Sequence, residues 1–200
     1  MVSKPADIFR KEQVRIESLR VAAESACNSG LLTNQNLEVV YEAGFLALFV
    51  AFENFVEDLF IDTMIGKHVP KGCRFNRRIE VISKSTAREL LYDGRSYVDL
   101  FPYDHLKRKS KIYFTGGRPF SLLEKTDIKE IEFFHKMRNL IAHKSRGSHR
   151  SFSDLLDGRA VLPPSKRTAA RYLRSTFAVN VNRFQQDSAS LLLISSRLSS

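Results

Sequence analysis

Cysteine is scarce in this chain. Cys27 and Cys73 stand alone and far apart, with no Cys-x-x-Cys or Cys/His spacing, which argues against a zinc site and against a disulfide framework. Reduced thiols in a cytoplasmic protein fit that pattern. A membrane-length apolar run is also missing. The longest greasy stretch, Gly44 to Phe60, is interrupted by Glu53, Asn54, Glu57 and Asp58, so no membrane partner is expected. Met1 to Pro5 leads into charged residues without the apolar core of a signal peptide. Acidic residues are outnumbered, 22 against 32 basic ones, leaving a formal charge of +10. That imbalance does not choose a fold, but it favours a polyanionic partner such as nucleic acid.

What is present is helical periodicity. With 43% hydrophobic residues over 200 positions, one substantial core and a single domain over 1–200 are expected. Phe9, Val14, Ile16, Leu19, Ala22, Ala23 and Ala26 recur at helical intervals from about Ala6 to Cys27, and Asn28-Ser29-Gly30 supplies a stop. A second, longer helix is expected from Thr33 or Asn34 to about Ile65, ended by Gly66 and Pro70. Its stretch from Ala43 to Phe52 is apolar nearly all round, as in a central helix contacted on several sides. The aromatic residues on it read as core or interface rather than as a base-stacking platform.

Residues of about 67 to 120 read as an insertion of short helices and loops. Thr86 with Glu89 suggests a capping box for a helix through Leu91 and Tyr92, and Asp93-Gly94 and Gly116-Gly117-Arg118-Pro119 read as turns. Thr126 is expected to cap a third long helix, with Asp127 and Glu130 in its first turn. Its buried stripe would be Ile128, Ile131, Phe134, Met137, Leu140 and Ile141. Pro163-Pro164-Ser165 is expected to open a fourth long helix to about Arg197, with Ala169, Ala170, Leu173, Phe177, Val181, Phe184, Ala189, Leu192 and Leu193 facing inward. No strand is expected. The fold class is therefore all-α, a bundle of four long helices with the insertion between the second and third.

Chemistry concentrates at Phe134-His135-Lys136-Met137-Arg138-Asn139-Leu140-Ile141-Ala142-His143. Arg138 and His143 lie five apart and so diverge by roughly 140° around a helix, whereas Asn139 and His143, four apart, share a face. An imidazole titrates near working pH and can move protons. A guanidinium stays charged and matches phosphate oxygens with two prongs. His135 and His149 read as surface residues, and His68 and His105 have no supporting context.

The run Arg-Asn-x-x-x-His late in an amphipathic helix resembles the signature of the HEPN superfamily. The acidic and aromatic segment Ala51-Phe52-Glu53-Asn54-Phe55-Val56-Glu57-Asp58-Leu59-Phe60 resembles the early helix of its RiboL-PSP-associated branch. The two segments and their helices cover about half the chain. The resemblance implies a HEPN-like helical bundle that dimerises, and a metal-independent endoribonuclease without cofactor in which the 2′-hydroxyl attacks the neighbouring phosphate. It implies His143 as acid/base group, Arg138 as stabiliser of phosphate charge, and Asn139 as the polar neighbour. One His per chain falls short of the acid and base that transesterification needs, which gives dimerisation a chemical reason.

Glu53 either pairs with Arg138 and orients it or is a partly exposed helix Glu, and Asn139 either serves the site or only a structural hydrogen bond. Lys144, Arg146, Arg150, Lys166, Arg167 and Arg171 form either an RNA-binding rim or a solvated cationic face. The family also implies a toxin or antiviral defence effector, with an antitoxin or regulatory protein as a further partner. Some HEPN toxins carry a modifiable Tyr two positions after the His; here Lys144 and Ser145 follow His143, so such a modification is not expected. The rival reading is a non-catalytic HEPN module that binds RNA or protein. A DNA-binding regulator is a weaker third, because no helix-turn-helix spacing stands out.

Overall fold

A computed structural model describes residues 3–71, 75–143, 155–156, 163 and 167–200. The chain is mostly helical, with a single small two-stranded sheet among the described residues. In order come α1 (Lys4–Asn28), α2 (Asn34–Met64), α3 (Lys84–Tyr92), α4 (Tyr103–Tyr113), α5 (Lys125–Ala142), α6 (Ala169–Arg174), β1 (Thr176–Ala178), β2 (Val181–Asn182) and α7 (Arg183–Leu198). Short 3-10 turns at Thr115–Gly117 and Phe120–Leu122 link α4 to α5.

The described residues gather into two compact units, and α1, α2, α5 and α7 each contribute to both. The first comprises Met1–Arg10, Phe52–Glu132 and Leu192–Ser200. Its interior is aromatic. Phe52 meets Phe9 edge-on at 5.7 Å between centroids, and Phe60 stacks on Phe120 at 4.9 Å, geometries favoured by ring quadrupoles. Gly66, at φ +77, turns the chain out of α2, and the Arg77 guanidinium donates to the Met64 carbonyl at 3.2 Å, satisfying an orphan acceptor of the last helical turn. The first helix turn of α4 is held by α5, where the Glu132 carboxylate accepts from the Tyr103 amide at 2.7 Å.

The second unit comprises Lys11–Ala51 and Phe133–Leu191. At Gly44, α2 packs beside α1 and α7: a Cβ there would make ordinary contacts, 3.5 Å from Phe184 and 3.6 Å from Ile16. Phe45 meets Phe134, and Phe133 meets Tyr172, both edge-on. By length and composition α2 passes as a membrane span; in the folded chain its Phe45, Leu48, Phe49, Phe52, Val56 and Phe60 are fully buried.

Several expectations change. Ser83, not Thr86, caps α3, accepting from the Thr86 amide; the cap must precede the first helical residue, and the helix begins at Lys84. Likewise α5 starts at Lys125, one residue ahead of Thr126, so Thr126 is no cap. The expected fourth helix is broken into α6, a hairpin and α7. Phe177 is exposed on β1 and Val181 only half-buried on β2. The hairpin resets the helical register, so α7 buries Phe184, Leu191, Ile194 and Leu198 with Asp187, Ser188 and Ser195, while Ala189 and Leu193 face out and Leu192 is half-buried. In α1, Val14 and Leu19 are exposed, and Arg20 takes the inward position beyond Ile16.

Candidate functional site

The second half of α5 lies in the second unit. Phe133, Phe134, Met137 and Ile141 are its buried stripe, which leaves His135, Arg138 and Asn139 on the half-buried flank. The amide of His143 donates to the Asn139 carbonyl at 2.9 Å, closing the last turn. His143 is thus the first residue past the helix, and it is exposed. Arg138 does not extend freely from the helix. Its Nη1 donates to Oδ1 of the adjacent Asn139 at 2.8 Å. The other end of that amide, Nδ2, lies 3.2 Å from Nε2 of His135, one turn upstream. The His135 ring rests at 6.3 Å from the Phe49 ring of α2, so it is half-buried rather than the surface residue expected. A guanidinium held by an amide, with an imidazole at the open end of the same helix, is an arrangement able to bind a phosphodiester and move a proton beside it.

Glu53 is half-buried on α2 and belongs to the first unit, whereas Arg138, Asn139 and His143 belong to the second. Within the second unit the Asn139 amide oxygen accepts from Arg138. Of the basic rim, Lys144, Arg146, Arg150 and Lys166 lie outside the described residues, as does His149. Arg167 is half-buried just before α6, which Thr168 caps by accepting from the Arg171 amide. Arg171 pairs with Glu38 of α2 at 3.3 Å, and the neighbouring Arg174 donates to Asn34 at 3.1 Å. Exposed pairs of this kind are weak.

A second polar cluster escaped the sequence. Arg20 is buried in α1, and its Nε and Nη2 donate to both oxygens of Glu17 at 2.8 and 2.6 Å. Nη1 donates to the Tyr41 hydroxyl at 3.0 Å, and that hydroxyl donates in turn to Glu24. Burial, reinforced by the bond to Glu24, pushes the Tyr41 phenol up to about 12. Asn182 and Gln185 cap α7 reciprocally, each side chain accepting from the other's backbone amide at 3.0 and 3.1 Å. Asn182 also donates to Tyr41 at 2.9 Å, and Gln185 to Glu17 at 3.0 Å. Beside this network opens a polar surface cavity of about 460 Å³, lined by Arg20, Glu24, Thr176, Asn180, Asn182 and Gln185 among others. The spacing Asn182-x-x-Gln185 is a capping-box pattern and was the one local signal for it.

Among the described residues no group of three or more His, Cys, Asp or Glu side chains is placed to hold a metal ion. No protein-family model, curated protein or solved structure matches this chain.

Proposed function

We propose that the chain is a metal-independent endoribonuclease of the HEPN type that acts as a dimer. One observation carries the reading. At the end of α5 an exposed His143 follows an Arg138 whose guanidinium is held by Asn139, the residue pattern that resembles the HEPN motif. The long helices α1, α2, α5 and α7, of 25, 31, 18 and 16 residues, with α3 and α4 between the second and third, suit the bundle the family implies.

In the proposed reaction an imidazole takes the proton of a ribose 2′-hydroxyl, and the oxygen attacks the adjacent phosphorus. The bond from phosphorus to the 5′-oxygen breaks, and a second imidazole, protonated, gives that oxygen its proton. The products are a 2′,3′-cyclic phosphate and a 5′-hydroxyl. Arg138 balances charge on the phosphoryl oxygens as it builds up. Two copies of His143 in a symmetric dimer supply the acid and the base. The role of toxin or antiviral effector rests on family analogy.

Incubation with a defined RNA in EDTA tests this. Wild type should leave cyclic-phosphate and 5′-hydroxyl ends, and folded Arg138→Ala and His143→Ala proteins should each lose about 100-fold or more in rate. If both variants cut as wild type does, the reading is wrong. Salt-sensitive binding of RNA with no products would assign the chain to the non-catalytic class instead.

A further inference from the structure

We infer that His135 is a positioning residue of this site, whose Nε2 lone pair fixes the Asn139 amide and, through it, the Arg138 guanidinium; the inference rests on the ribonuclease reading above. A guanidinium has donors only, so the 2.8 Å contact of Arg138 Nη1 requires the oxygen of the Asn139 amide to face it. The amide nitrogen must then face the other way, where His135 Nε2 lies at 3.2 Å. An amide nitrogen carries hydrogens and offers no lone pair, so Nε2 has to be the acceptor. Only an imidazole with its proton on Nδ1 and none on Nε2 supplies that.

The spacing makes the geometry natural, because residues four apart on a helix lie one above the other, and Phe49 backs the ring. A ring with hydrogen on Nε2 would set donor against donor. The amide would then turn over, present its nitrogen to the guanidinium and give up the hydrogen bond from Arg138. An arginine held in place before substrate arrives spends nothing on ordering when charge develops on the phosphate. Asn139 is thus a relay with both ends in use, and His135 sets its direction.

Two substitutions separate this role from packing. His135→Gln places a carbonyl oxygen near the position of Nε2 and still accepts a hydrogen bond; His135→Leu fills the space against Phe49 without any acceptor. Cleavage of a defined RNA in EDTA should stay within about threefold of wild type for the Gln variant. The Leu variant should lose about 10- to 100-fold in kcat with little change in KM, since the interaction lost acts on the transition state. In wild type, nitrogen NMR of the His135 ring should show an unprotonated Nε2. A Leu variant that cuts as wild type overturns the inference. So does a folded Gln variant that falls as far as the Leu one, which would mean that His135 itself transfers a proton. A ring found protonated at Nε2 overturns it without recourse to activity. Absence of cleavage by wild type would instead strike the ribonuclease reading and remove the role with it, whatever the ring's tautomer.

Discussion

Burial pulls the His68 imidazole below its ordinary value of 6.5, against an opposing pull from the Asp62 carboxylate. Its Nε2 is buried with no hydrogen-bonding partner among the described residues. Because the folded value is depressed, the unfolded chain takes up the proton first as pH falls. Stability is therefore unaffected above about 6.5 and is lost below it, down to the lowered value. His68→Asn should flatten that acid limb: comparing thermal midpoints between about pH 7.5 and about pH 5.5, the variant should lose less than wild type. Equal losses would show that the histidine is not what titrates. Arg138, Asn139 and His143 were legible as single residues because their relations are local, set by neighbours one and four apart. His135 was not, since a histidine on a helix reads the same whether it meets Phe49 or water. Arg20 was hidden for a similar reason, as its burial is made tolerable by Glu17, Tyr41 and Glu24 together.

Helix ends and beginnings were largely readable at the scale of elements: α1, α2 and α3 lie within a few residues of where caps and glycines put them. The expected helix from Pro163 to about Arg197 was misread because Ala169, Leu173, Phe177, Val181 and Phe184 keep an apparent three-four rhythm across a hairpin. The contrary signal was weaker, a short Thr-Phe-Ala-Val-Asn-Val-Asn run rich in β-branched residues with Asn at the left-handed turn position, φ +59. That hairpin is tied down by Asn182, Gln185 and Tyr41. Tyr41→Phe removes the hydroxyl shared by Arg20, Glu24 and Asn182, and should cost about 1 to 3 kcal/mol in chemical denaturation at neutral pH. A loss below a few tenths would mean that water replaces it without penalty. At alkaline pH the sign is opposite to that of His68. The folded phenol keeps its proton to about 12 while the unfolded one releases it from its ordinary value of 10. Wild type should lose stability as pH rises past 10, and Tyr41→Phe should lose less over the same interval. Asn182→Ala, which removes a helix cap as well, should cost about 1 kcal/mol or more.

For the molecule as a whole, the charge of +10 and the proposed dimer make separate claims. Binding of RNA to the His143→Ala protein should weaken linearly on a log–log plot against salt, with a slope of about −0.7 for each phosphate neutralised on a single strand. A flat plot would assign the basic excess to a solvated face. Specific activity should fall on dilution in step with dimer dissociation followed by light scattering, whereas an active monomer would remove the reason for pairing two histidines. The helical class was legible at this scale because period alone decides it. The division of the described residues into two units was not, because periodicity marks which face of a helix is buried and not what buries it. The hairpin between α6 and α7 has one more consequence. Val179 at its tip is 88% exposed and the chain already reverses there. Extra sequence is tolerated best at such a point, so an affinity handle or a dye attached at Val179 would mark the second unit while leaving both chain ends and the tip of α5 untouched.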